Sequence, residues 1–148
     1  KLVFFTLLML VPLVVFHLVL GVLEFDIGTL APATVLTLSL TFLTLAALAM
    51  AVTIVSRFST LGRFVNVLLL LVVVGFSGLA YPAGYFSALR REITRAMPTH
   101  YATIITRSSM LREMPIEAFT DWLLGLGVVA VLSLALLELS IVAYRRWA

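Results

Sequence analysis

Polar residues are scarce along this chain and fall in clusters, so the apolar runs between them define its elements. The first run is Leu2 to Leu23, broken by Pro12 and His17 and closed by Glu24 and Asp26. The second extends from Leu30 to Val55 and ends at Arg57, with Pro32 in its first turn, where a missing N–H costs little. The third covers 62–81 and ends at Tyr81-Pro82. The fourth covers 121–144 and ends at Arg145-Arg146, with Thr120 and Asp121 as expected N-caps. A helix needs about 20 apolar residues to cross the hydrocarbon core of a bilayer, and these four runs reach or approach that length. The pattern predicts an all-α membrane protein with about four transmembrane helices in one domain over residues 1–148.

The connections differ in kind. Residues 24–29 form a tight acidic turn, and residues 56–63 a short basic one. Residues 83–120 are longer and mixed. Within them, Phe86, Leu89, Ile93 and Met97 share one helical face, while Arg90, Arg91, Thr94 and Arg95 share the other. Such a segment is too polar to span and suits a membrane surface. Pro98 breaks it, and a second helix follows over 99–114, with Thr99 as its expected N-cap and Pro115 as its stop. The loop therefore holds a pair of short amphipathic or re-entrant helices before the last span.

Composition supports lipid as the solvent. Apolar residues make up 63% of the chain and charged residues 11%, against roughly 25% charged in an ordinary soluble domain. The net charge of +3 includes no dense basic stripe, which excludes a nucleic-acid surface. Without cysteine there are no disulfides, thiolate metal sites or cysteine nucleophiles. Basic residues divide equally between the two sides of a four-span topology: Lys1, Arg57, Arg63, Arg145 and Arg146 on one, and Arg90, Arg91, Arg95, Arg107 and Arg112 on the other. Judged on the tight turns, where the positive-inside rule acts, the 56–63 turn and the C-terminus face the cytoplasm.

Candidate chemistry inside the spans is sparse. His17 and Glu138 are ionisable groups at membrane depth and so are functional candidates. Glu138 also reads as a side chain that extends toward headgroups, and His17 as a neutral group bonded to a neighbouring helix. Thr37, Thr41 and Thr44 share a face that Ala47 and Ala51 extend, which reads as helix packing or as a polar stripe on a path. Trp122, Tyr144 and Trp147 stand where aromatic belts belong. No nucleophile motif, metal-ligand set or phosphate-binding loop is present.

The third run closes with Ser77, Gly78, Tyr81 and Pro82 in a Ser-Gly-x-x-Tyr-Pro pattern. Pro98, Thr99 and Tyr101 follow, then Arg107, then a last span with a basic tail. This order and spacing, over about residues 30–148, resembles the permease subunits of ABC-2 type exporters. The resemblance implies a transport subunit without a catalytic site or cofactor of its own. ATP and Mg would be bound by a separate ATPase subunit, and a second permease subunit would complete a dimeric path across the cell membrane. It also implies that the 83–120 loop is extracytoplasmic, with Ser77, Gly78, Tyr81, Pro82, Pro98, Thr99, Tyr101 and Arg107 as gate candidates. Two departures stand out. Gly84-Tyr85-Phe86 replaces a proline-bearing stretch, and such permeases have six spans and a cytoplasmic coupling helix, so the resemblance implies that this sequence corresponds to spans three to six, as a fragment or a truncated homologue. Without the resemblance, a small four-span structural or assembly protein and an intramembrane enzyme using His17 or Glu138 remain open. The substrate is not readable.

Overall fold

Apolar runs separated by proline and charge fold here as helices. The computed structural model describes residues 2–23, 32–77, 87–112 and 114–147, and no strand occurs among the described residues. In chain order the helices are α1 (Leu2–Val22), α2 (Pro32–Val55), α3 (Thr60–Phe76), α4 (Ala88–Ala96), α5 (Pro98–Arg112) and α6 (Thr120–Trp147), with a 3-10 turn at Ile116–Phe119 leading into α6. Two segments, Pro32–Val55 and Ile116–Arg146, are long and apolar enough to cross a membrane. At 1.5 Å per residue α2 extends about 36 Å, beyond the roughly 30 Å of a hydrocarbon core. The Leu10–Val19 stretch of α1 and the whole of α3 are apolar but shorter.

Several expected boundaries move. Helix α3 starts at Thr60, two residues before the expected 62, and Ser77 caps it by turning its own N–H and hydroxyl back to the Val74 carbonyl, the hydroxyl at 2.8 Å; the expected stretch 78–81 lies outside the described residues. Thr120 does not cap α6. Pro115 is extended and opens the 3-10 turn four residues earlier, so Thr120 lies inside continuous helix and its hydroxyl donates to the Glu117 carbonyl at 2.8 Å. Asp121 is accordingly a first-turn residue, where its charge suits the positive end of the helix dipole. Thr99 is likewise inside α5, which begins at Pro98, a first-turn position where the absent N–H is harmless.

Helix α2 is the hub, packed against α1, α3, α5 and α6, most extensively against α6. Its buried face is Thr34, Thr37, Thr41, Thr44, Ala47 and Ala51, spaced three and four apart. Helix α6 buries Leu126, Ala130, Ser133, Leu137 and Ser140 at the same spacing. Small side chains let two backbones approach closely, which is how helices associate where no water drives them together. Near one end of this seam Ala33 clusters with Ile105 of α5 and with Phe119. Near the other, Ala47 and Ala51 cluster with Leu137. The starts of α2 and α6 therefore meet, as do their later turns, and the two run parallel.

Helix α3 returns beside α2 through a tight turn in which Arg57 and Phe58 adopt φ of 50° and 59°. Left-handed backbone at two successive non-glycine residues is uncommon and must be held by its surroundings. Ser59 caps α3 by accepting from the Gly62 N–H, and Phe58 packs edge-on to Tyr144 of α6 at 6.4 Å. That contact gathers Arg57, Arg63, Arg145 and Arg146 at one end of the bundle. Farther along α3, Asn66 donates to the Thr53 hydroxyl at 2.9 Å and to the Ala49 carbonyl at 3.2 Å. Hydrogen bonds between helices in lipid contribute about 1 kcal/mol each. Asn66→Ala is expected to lower stability by about that amount or somewhat more, measured by SDS-driven unfolding in mixed micelles.

The surface that remains is apolar. Leu7, Val11 and Leu18 of α1, Phe64, Leu70 and Leu71 of α3, and Leu124, Val131 and Leu139 of α6 are all exposed. An apolar surface this continuous marks contact with lipid or with other protein.

Candidate functional site

The loop before α6 is built as an elbow. Ser87 caps α4 by accepting from the Arg90 N–H. One turn on, Thr94 bonds back to the Arg90 carbonyl at 2.8 Å and is fully buried. The Arg90 guanidinium donates to the Gly75 carbonyl at 2.8 Å and lies 5.3 Å from the centre of the Phe76 ring. A cation placed on the last carbonyls of a helix is favourable against the helix dipole, so Arg90 ties α4 to the end of α3. The inward face of α4 is thus Arg90 and Thr94, while Leu89 and Ile93 point outward. Of the polar face read from the sequence, Arg90 and Thr94 turn toward the protein while Arg91 and Arg95 stay exposed.

At the corner, Met97 is extended and donates to the Thr94 carbonyl, and Pro98 is buried. Helix α5 then packs against α2 and α6. Ile105 is fully buried, and the Ser109 and Thr34 hydroxyls are bonded at 2.6 Å. Beside the corner, the rings of His100, Tyr101 and Trp122 meet at centroid distances of 5.5 to 6.3 Å. Arg95, His100, Tyr101, Asp121 and Trp122 line a cavity of about 290 Å³.

Burial, with the nearby Arg95 charge adding to it, pushes the His100 imidazole below its ordinary value of 6.5. Its proton is therefore held less tightly in the folded chain than in the unfolded one. Stability tied to neutral His100 is complete above pH 6.5 and declines as pH falls toward the lowered folded value. Across the cavity Asp121 is the acidic group that faces the resulting imidazolium, and Arg95 the basic one. The imidazole NMR titration of a His17→Gln variant is expected to show a midpoint below 6.5, rising when Arg95 is replaced by Gln.

Of the other residues singled out from the sequence, Pro98, Thr99 and Tyr101 gather at the elbow, and Ser77 caps α3 near the residues that Arg90 engages. Arg107 projects outward from α5. Gly78, Tyr81 and Pro82 lie outside the described residues. Thr37, Thr41 and Thr44 are sealed in the buried face of α2, where Thr44 bonds back to the Leu40 carbonyl and the Thr37 and Thr41 hydroxyls have no partner. Glu138 is exposed on α6, and His17 on α1 is half-buried with an unpartnered Nδ1. Among the described residues, no three His, Asp or Glu side chains gather as metal ligands.

No family model, characterised protein or solved structure matches this chain. Its function must therefore be argued from its own residues.

The sequence offers Asp121 as a cap, Trp122 as a belt residue and Arg95 as part of an arginine face that is either solvated or attracts an anion such as a lipid phosphate, and none of these assembles the cavity they share with His100 and Tyr101. Their separation of more than twenty positions hides it. Asn66 was also missed, although an amide within the apolar stretch 64–76 is itself a signal of a polar link between helices.

Proposed function

We propose that this chain is a membrane-spanning permease subunit of an ABC-2 type exporter, forming a translocation path with a second permease subunit and driven by a separate ATPase. It crosses the cell membrane with α1, α2, α3 and α6, and its 56–63 turn and C-terminus are cytoplasmic. The elbow carries this reading: α4 hangs from the end of α3 through Arg90, and α5 is wedged against α2 and α6 at the end away from the basic turn. A helix pair so placed covers the outer end of the spans, where an export gate belongs. Exposed leucines on α1, α3 and α6 support immersion in lipid. Arginines at both ends of a zone about 36 Å long support a multi-pass orientation.

Thiol labelling tests the topology directly, since the chain has no cysteine. In intact cells a membrane-impermeant maleimide is expected to label Arg107→Cys and to spare Ser59→Cys until the membrane is opened. Tagged protein extracted from its native membrane in mild detergent is expected to bring an ATP-hydrolysing partner with it. Recovery without such a partner, or labelling of both positions in intact cells, overturns the proposal.

A further inference from the structure

The cavity beside the elbow combines features that solvation alone does not explain. Three rings form its aromatic wall, with Tyr101 and Trp122 inclined by 69° at 5.5 Å and His100 and Trp122 inclined by 45° at 6.3 Å. The aromatic faces that Tyr101 and Trp122 leave open can attract an ammonium group electrostatically. Asp121 stands on the same rim and makes no ion pair or hydrogen bond among the described residues. Arg95 stands on the rim too; among the described residues its ionic partner is Glu92 on its own helix, at 2.8 Å, which leaves further N–H groups to meet another acceptor. Opposite charges thus share one small cavity without neutralising each other. Among the described residues the Tyr101 hydroxyl and the Trp122 indole N–H have no hydrogen-bond partner either.

We propose that this cavity binds a zwitterionic group bearing an ammonium and a phosphodiester, with the ammonium in the aromatic corner beside Asp121 and the phosphodiester on Arg95. Both ends are needed. An isolated anion would meet Asp121, and an isolated cation would meet Arg95. A volume of about 290 Å³ is enough to admit a phospholipid headgroup. The headgroup of a zwitterionic phospholipid and a soluble phosphodiester zwitterion share this chemistry. The assignment goes beyond the exporter proposal and does not depend on it, because it rests on the cavity alone.

A variant with Trp147→Phe leaves Trp122 as the sole tryptophan and so makes the cavity its own reporter. In maltoside micelles at pH 7.5, glycerophosphocholine is expected to change Trp122 emission saturably. Choline alone and glycerol phosphate alone are each expected to need at least tenfold higher concentration. Asp121→Asn and Arg95→Gln are each expected to raise the half-saturating concentration about tenfold with helical circular dichroism unchanged. Nanodiscs distinguish the source. If phosphatidylcholine discs abolish the response and phosphatidylglycerol discs preserve it, the ligand is lipid; if both preserve it, the ligand is soluble. Equal responses to choline or to glycerol phosphate, or no saturable response in micelles, overturn the assignment. That comparison uses the unaltered cavity, so it stands even if a cavity variant fails to fold.

Discussion

Replacing Gly62 by alanine is expected to destabilise the protein by about 2 kcal/mol, within the range seen when atoms are forced into close packing. A Cβ built at Gly62 would come within 2.7 Å of the Ser56 Cβ and would overlap the Ser56 hydroxyl. The β-carbon cannot rotate away, so α2 and α3 would have to separate at their tightest point. Alanine favours helix over glycine by roughly 0.5 to 1 kcal/mol, which offsets only part of that cost. Ser56→Gly removes the obstacle at the expense of one hydrogen bond to the Thr53 carbonyl, at 3.0 Å. The double variant is therefore expected to be nearly as stable as the parent, a coupling that a double-mutant cycle in SDS-driven unfolding measures. Strictly additive single effects would show that the two residues do not meet.

The second large effect is expected at Ala47, which is fully buried and packs with Ala51 and Leu137. Ala47→Leu adds three carbons to a face where α6 lies against α2, with Leu134 and Ile141 on either side. Ala47 is 0% exposed with these side chains packed around it, so the helices must shift apart to receive the added carbons. A loss of about 3 kcal/mol is expected, at the upper end for overpacking. Leu137→Ala in the same chain should restore part of it by returning the lost volume. If Ala47→Leu melts with the parent, the seam is looser than described.

Most of the architecture was legible because apolar runs and prolines act locally. The ends of α2 and α6 follow from Pro32, Arg57 and Arg145-Arg146, and the corner between α4 and α5 from Pro98, each of which acts on its own turn. The buried face of α2 was legible for the same reason, since small residues three and four apart share a side. Misreadings arose where one local signal competed with another. Thr120 has the chemistry of a cap, but Pro115 starts the turn first. Arg90 and Thr94 read as the watery side of an amphipathic helix, yet they face inward because the carbonyl at the end of α3 needs a donor. The cavity at the elbow was not legible at all. It exists only because α5 folds back against α6, a long-range event that leaves no periodic trace in the chain.

The polar links are unevenly distributed, and this has a mechanical consequence. Thr34 with Ser109 joins α2 to α5, and Asn66 with Thr53 joins α2 to α3. Across the α2 and α6 seam, by contrast, the hydroxyls of Thr44, Ser133 and Ser140 all turn back to carbonyls of their own helices at 2.8 Å. Among the described residues no hydrogen bond crosses that seam, and its side chains make only shallow ridges. Lengthwise sliding of α6 on α2 is therefore opposed by side-chain packing alone, including the α5 contacts at its first turns. Small sliding of packed helices is one of the ordinary ways proteins change state, and this chain places its plane of easiest slip along its two longest rods.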